Sequence, residues 1–395
     1  LRGIYLFGNL LKGGKEMAGN DNCPLCGLPQ SLNRKLVWTT DGGLYFQARR
    51  SDRLIFLEEE DICTMLEEAV RLRGDKILDT LRECRRVFTR EDVASQLPAM
   101  RRSLMRHWPL AKRVVLAAFQ EAALFGCGSV TVSAIEPRKQ LVVKARHPYN
   151  PHLLAGDIWG FWEGLYDVEA LLSLSASSEQ EWDITVRTVQ KTRWKAKREV
   201  LPRRPDRDYG LEVCEKCRLP LFPWELRWDT GLGTIYHTGT HRHIAITSAA
   251  GWRKVVDEIK GSREGEFPSS VGAALAGKAA AEYRLLRGDN YKTAYRHFFL
   301  SLPFLGWGKP KKVSRKPFLI DAEMEGVPFP HLLAWKMAGV YEALEREPAE
   351  IQHLKTGDSG WRYLIGPRLE GTFLKIERMS LKEDQTIYPR PFLPF

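Results

Sequence analysis

Two Cys-x-x-Cys pairs, Cys23-Pro24-Leu25-Cys26 and Cys214-Glu215-Lys216-Cys217, are the residues of this chain best suited to chemistry. Two thiolates three residues apart on a tight turn can grip one metal ion. Backbone N–H groups beyond the second cysteine then face the sulfurs. Gly27 serves that turn in the first pair, and Arg218 stands in its place in the second. Tetrahedral zinc wants four ligands, and each pair supplies two. The pattern therefore predicts one shared zinc held by Cys23, Cys26, Cys214 and Cys217, clamping two parts of the chain together. Four thiolates also suit an iron–sulfur cluster. A further alternative completes the second pair within its own half with two of His237, His241 and His243. A closed four-cysteine zinc leaves no position for water, so its role would be structural and not catalytic. The other cysteines, Cys63, Cys84 and Cys127, read as core. Seven cysteines, an odd number, without a secretory signal point to a reducing, cytoplasmic setting.

A second set of chemistry-bearing residues occurs twice. Pro151-His152-Leu153-Leu154-Ala155 is followed by Gly160, Glu163 and Leu165. Pro330-His331-Leu332-Leu333-Ala334 is followed by Gly339, Glu342 and Leu344, at a constant offset of 179. A carboxylate among Trp159, Phe161 and Trp162 could serve as a general acid in an apolar pocket. Such a pocket for a small apolar ligand would be lined by His152, Trp159, Trp162, Glu163, His331, Trp335, Tyr341 and Glu342. Against catalysis, the pair occurs in both halves, as scaffold residues do. No Ser/His/Asp array, P-loop or Gly-x-Gly-x-x-Gly stands elsewhere.

These groups need elements to hold them. The correspondence extends from the cysteine pairs (offset 191) through Gly126 and Gly128 against Gly306 and Gly308 (offset 180) to Trp182 and Trp361. So long a period means duplicated domains and not a solenoid. In each half, short β-runs follow the cysteines: Leu36–Thr39, Leu44–Gln47 and Leu54–Leu57 in the first. A helical region over about 58–126 comes next, with Thr89 and Asp92 as a capping box opening one helix. Strands over Ser129–Ala134 and Gln140–Ala145 lead to a helix capped by Asn150 with Pro151 at its first position. An alternating strand, Trp182–Val189, closes the half. Gly156, Gly160 and Gly164 stack on one helix face and predict close backbone packing, on the sheet or on the sister helix. The expected fold is α+β: two duplicated domains, each a small antiparallel sheet with helices, related by a pseudo-two-fold.

Val142 to Val168, with Trp182–Val189, resembles the 4-vinyl reductase domain family: strands, a helix with spaced glycines and a glutamate, then a closing strand. The resemblance implies a divergent tandem of small-ligand-binding domains with a zinc-binding cysteine cluster. The family's cysteines follow the glycine-rich helix, whereas here they open each half, so no family ligand residue carries over.

The resulting organisation is an extension over 1–22, a first repeat over 23–190, a basic linker over 191–213 and a second repeat over 214–395. Residues 1–16 match nothing in the second half, which sets a start near Met17. Net charge is +11. It concentrates in 191–207 and again in Lys309, Lys311, Lys312, Arg315 and Lys316, read as a solvated linker and a solvated loop. The alternative is an anionic partner, whether nucleic acid, a membrane surface or an acidic protein, though no nucleic-acid motif accompanies the charge. No apolar run reaches the ~18–20 residues of a membrane helix. The leading expectation is a non-catalytic, zinc-stapled ligand-binding or accessory protein, with a protein partner in a larger complex. The alternatives are an enzyme using Glu163 or Glu342, and a nucleic-acid-associated zinc protein.

Overall fold

The computed structural model describes residues 22–47, 52–96, 108–192, 211–221, 226–238, 242–261, 268–285, 291–316, 318–357, 360–368 and 385–386. Residues 1–16 and all but the ends of the basic linker lie outside them. The fold is α+β with antiparallel sheets throughout.

After a helical turn, α1 (Leu32–Lys35), the first half builds a meander of β1 (Leu36–Trp38), β2 (Leu44–Phe46) and β3 (Arg53–Glu58). Helices α2 (Glu59–Arg73), α3 (Lys76–Gln96) and α4 (Trp108–Leu124) follow, then β4 (Ser129–Glu136) and β5 (Gln140–Arg146). Helix α5 (Pro151–Tyr166) precedes β6 (Val168–Ala176) and β7 (Glu181–Lys191). The second half repeats this order. It has β8 (Leu226–Asp229), β9 (Thr234–His237), β10 (Arg242–Ser248), α6 (Ala249–Lys260), α7 (Ser269–Leu285) and α8 (Tyr291–Phe304). It continues with β11 (Lys309–Lys316), β12 (Leu319–Glu325), α9 (Pro330–Glu345), β13 (Ala349–Thr356), β14 (Gly360–Pro367) and the short β15 (Gln385–Thr386).

A three-stranded meander has an open edge, which needs a partner for its backbone groups. Here the partner is the other half. β3 pairs antiparallel with β10, Phe56 opposite Ile246, giving one six-stranded sheet in the order β1-β2-β3-β10-β9-β8. Each half therefore contributes three strands to a common sheet and keeps a lobe sheet of its own, β4-β5-β7-β6 or β13-β14-β12-β11-β15.

The connections cross over. Phe56 N–H donates to Leu305 O (2.9 Å), and Ile246 N–H donates to Phe125 O (2.7 Å). The indole of Trp38 donates to Phe304 O (2.9 Å) and that of Trp228 to Leu124 O (3.1 Å). Each meander thus docks on the lobe of the opposite half. At the same junctions Gly42 and Gly233 adopt φ of +74° and +69°, and each lies against the backbone of a glycine of the opposite lobe, Gly308 and Gly128. Any β-carbon there would meet main-chain atoms, so glycine is required.

Alternate residues of the central strands serve two cores. Leu54, Phe56, Ile244 and Ile246 face a small core with the cysteine pairs, while Ile55, Leu57 and Ala245 join the large helical core.

The glycine face of α5 packs on α3. A β-carbon at Gly156, Gly160 or Gly164 would overlap the carbonyls of Arg82, Arg86 and Arg90, one helical turn apart. In the second lobe Gly339 meets Ala276 O on α7 in the same way. Where the first lobe has Gly156, the second has Trp335, and there the small residue is on the facing helix: Gly272 lies under the Trp335 ring.

Three expectations need correction. Thr89 does not open a helix: α3 runs through it, because its hydroxyl is used by Asp157 (2.7 Å). The strand β6, absent from the sequence reading, completes the first lobe sheet beside β7. Lys309–Lys316 is not a solvated loop but strand β11, with Arg315 paired to Glu345 (2.9 Å) and Val313 fully buried.

Candidate metal centre

Both cysteine pairs sit on the same local fold. Asn22 bridges to Pro29 and Val213 to Pro220, closing a tight turn in each half. Cys23 N–H donates to Leu28 O and Cys214 N–H to Leu219 O, both at 2.8 Å. Gly27 and Arg218 take φ of +73° and +60°. The arginine therefore adopts the left-handed turn that glycine adopts in the first pair.

The strands that follow the two turns lie at opposite edges of the central sheet. The turns themselves fold back over one of its faces, onto Leu54, Phe56, Ile244 and Ile246, and meet. Cys23 Sγ lies 3.7 Å from Cys214 Sγ, and Cys26 Sγ 3.4 Å from Cys217 Sγ. All four sulfurs fall within 4.8 Å of one another, and together they could hold a metal ion. Bonds of ~2.3 Å from a tetrahedral zinc put its sulfurs about 3.8 Å apart, so the spacing suits that ion. A disulfide needs a bond of ~2.05 Å, and all four cysteines are free.

Burial disfavours ionised thiols here and pushes Cys26 and Cys217 up. For Cys23 burial acts the same way but is outweighed by the N–H groups of Cys26 and Leu25 and by the Cys214 sulfur, which bring it down to about 6. Four thiolates this close repel each other strongly unless a cation sits among them.

Among the described residues the histidine alternative is not assembled. His243 Nδ1 pairs with Glu59 (2.8 Å) and its ring packs on Tyr236, while His237 lines a cavity elsewhere. His241 lies outside the described residues. Cys63, Cys84 and Cys127 are half-buried, and burial raises each thiol, Cys63 to about 11 and Cys127 to about 12.

The residues expected around an apolar pocket are engaged in packing. Glu163 is wholly buried, takes a two-pronged pair from Arg86 (2.9 Å each) and accepts the Ala170 N–H (2.9 Å). Glu342 accepts the Ala349 N–H (3.0 Å), the matching bond of the second lobe. The indoles of Trp159 and Trp162 donate to Ala170 O and Thr188 Oγ1, and Tyr341 donates to Phe318 O. Trp335 covers Gly272, His152 sits edge-on to Trp182, and His331 Nδ1 meets His353 Nε2 at 3.0 Å.

A group that sequence reasoning missed lies between the central sheet and the second lobe. Arg242 bonds Glu58 (2.7 Å) and Glu282 (2.9 Å); Lys336 reaches Asp61 (2.5 Å) and Glu58 (3.5 Å). Beside them is a cavity of about 50 Å³. Burial, then the charge of Glu58, raises the Glu282 carboxyl to about 8. Its members come from β3, α2, β10, α7 and α9, and no local spacing marks them.

Among the described residues no helix is long and apolar enough to cross a membrane. Comparison with protein-family models, with curated proteins and with solved structures gives no match for this chain.

Proposed function

We propose that the chain is a non-catalytic, zinc-stapled scaffold or accessory protein of the cytoplasm, a divergent tandem of 4-vinyl-reductase type. In this reading the zinc joins two half-sites that neither half can complete alone. The observation that carries it is the meeting of all four sulfurs, two from each half, within 4.8 Å of one another. Four cysteines fill a tetrahedral zinc and leave no place for a substrate or water, which is why the role is structural. The carboxylates that an enzyme reading would need, Glu163 and Glu342, are already committed to Arg86 and to the amides of Ala170 and Ala349. The crossed docking of the meanders fits the same purpose, since a clamp at the cysteine turns holds both lobes in register.

Titrating the full chain with a strong chelator and following its melting by circular dichroism tests this. Structural zinc sites contribute on the order of 10–16 kcal/mol in small domains. Metal removal should lower the melting temperature by tens of degrees, and zinc should restore it. An unchanged melting curve after complete removal would overturn the structural role.

A further inference from the structure

The cavity beside the buried charges lies between β3, β9 and β10 on one side and α7, α8 and α9 on the other. Residues of both halves line it. Its walls are largely apolar, with Phe56, Ile244, Phe298, Leu302 and Trp307 among them, and its charged end carries Glu58, Glu282, Arg242 and Lys336. A water needs ~10–15 Å³ by this measure, so about 50 Å³ holds roughly three to five waters or the head of a small molecule.

Charge decides which head. Arg242 is already shared by Glu58 and Glu282, and Lys336 by Asp61 and Glu58. Both cations are engaged by carboxylates, so an anion entering the cavity would have to displace one of them. The buried set holds three acids, Glu58, Asp61 and Glu282, against two bases. Glu60 and Lys278, both exposed nearby, pair with each other and cancel. His237 in the wall is held below its ordinary value by burial, against the pull of Glu58 and with the neighbouring His297 adding to the shift, so it does not favour the charged form. With both bases engaged, the third acid of the set is balanced by the proton that Glu282 holds, its carboxyl being raised to about 8, and a bound cation would take the place of that proton.

The wall also offers acceptors. Tyr283 is 6% exposed and lines the cavity, yet its hydroxyl makes no hydrogen bond among the described residues. Ser301 is 2% exposed, and its hydroxyl hydrogen goes to Phe298 O, which leaves its oxygen as an acceptor. Glu282 gives only one of its oxygens to Arg242. Aromatic faces such as Phe298 and Trp307 favour a cation as well.

We infer that this cavity is a binding site for a small organic cation, a primary ammonium or amidinium carrying a short apolar group, whose charge balances the buried set of Glu58, Asp61 and Glu282. Binding here is independent of the cysteine site and leaves its metal in place.

The test uses the full chain with its metal bound, and n-propylammonium, propionate and potassium as chloride or sodium salts at matched ionic strength. Isothermal titration and Trp307-sensitive fluorescence report binding. Saturable binding is expected for propylammonium alone, with affinity falling at least tenfold in Glu282→Gln and unchanged in the surface control Glu350→Gln. No saturable propylammonium binding, equal binding of propionate, or undiminished affinity in folded Glu282→Gln would overturn the inference. Should Glu282→Gln fail to fold, a crystal of the unaltered chain soaked in 3-bromopropylammonium decides. A bromine peak in the cavity supports the site, and a peak only elsewhere or none overturns it.

Discussion

At one position of the two closing helices the chain carries opposite charges: Asp157 on α5 and Lys336 on α9, offset by 179 residues. Both are internal partners of ions, but their surroundings differ. Asp157 receives Arg85 through two bonds of 2.9 Å, the Thr89 hydroxyl at 2.7 Å and the Tyr149 hydroxyl at 2.9 Å. That network is one acid against one base. Lys336 serves a set with more acid than base and a cavity beside it. By contrast, Glu163 and Glu342 make the same bond, to the first residues of the following strand, in both lobes. The lesson is a division of labour. Positions that fasten the helix to its strand are alike in the two lobes, while Asp157 and Lys336 differ, and the second lobe is the one with a surplus of buried acids beside a cavity.

The largest effects should come from breaking the two ion networks. Asp157→Ala leaves Arg85, which cannot shed its charge, buried and unpaired, at about 3–5 kcal/mol. That loss should be nearly constant between pH 5 and 8 in urea unfolding. Lys336→Met leaves acids, which can take up protons, so its loss should be smaller at pH 5 than at pH 8. Losses that depend on pH in the same way would remove the contrast. Next is the exchange of large and small residues between facing helices. Gly272→Ala should cost about 1–3 kcal/mol by overpacking against Trp335. Adding Trp335→Leu should recover part of it, and strictly additive losses would show that the two do not share the space.

The matched glutamates come next. Glu163→Gln weakens the bonds that the wholly buried carboxylate makes to half-buried Arg86 and should cost about 2 kcal/mol, within the usual ~1.5–3 for charged hydrogen bonds. Glu342→Gln, with one amide bond at stake, should cost about 1 kcal/mol or less. The smallest effect is a pH slope. The Glu282 carboxyl titrates at about 8 in the folded chain against an ordinary 4.5. A folded-state pKa above the unfolded one means the folded chain holds the extra proton. Its stabilising share is therefore complete below about 4.5 and is lost as pH rises toward about 8. Glu282→Gln should flatten that decline, and an unchanged slope would assign it to other groups.

Local rules made much of this legible. The Asn150 side chain caps α5 as expected, accepting the N–H groups of His152 and Leu153 at 3.1 Å each. The glycine spacing announced a close backbone contact, though its partner is α3 and not the sheet or the sister helix, and the cysteine spacing announced the shared site. What stayed hidden depends on distant partners. Thr89 looks like a helix cap until Asp157, 68 residues on, claims its hydroxyl. Glu58, Arg242, Glu282 and Lys336 look like surface charges, and only the crossing of the halves buries them together. The shared sheet was missed for the same reason, since an open strand edge does not state its partner.

Metal content is the most direct test of the central claim. Purified full-length chain, analysed by inductively coupled plasma mass spectrometry, should carry one zinc. Either Cys23→Ser/Cys26→Ser or Cys214→Ser/Cys217→Ser should abolish it. Two zincs per chain, none, or one retained after either pair is replaced would contradict a single site built from both halves.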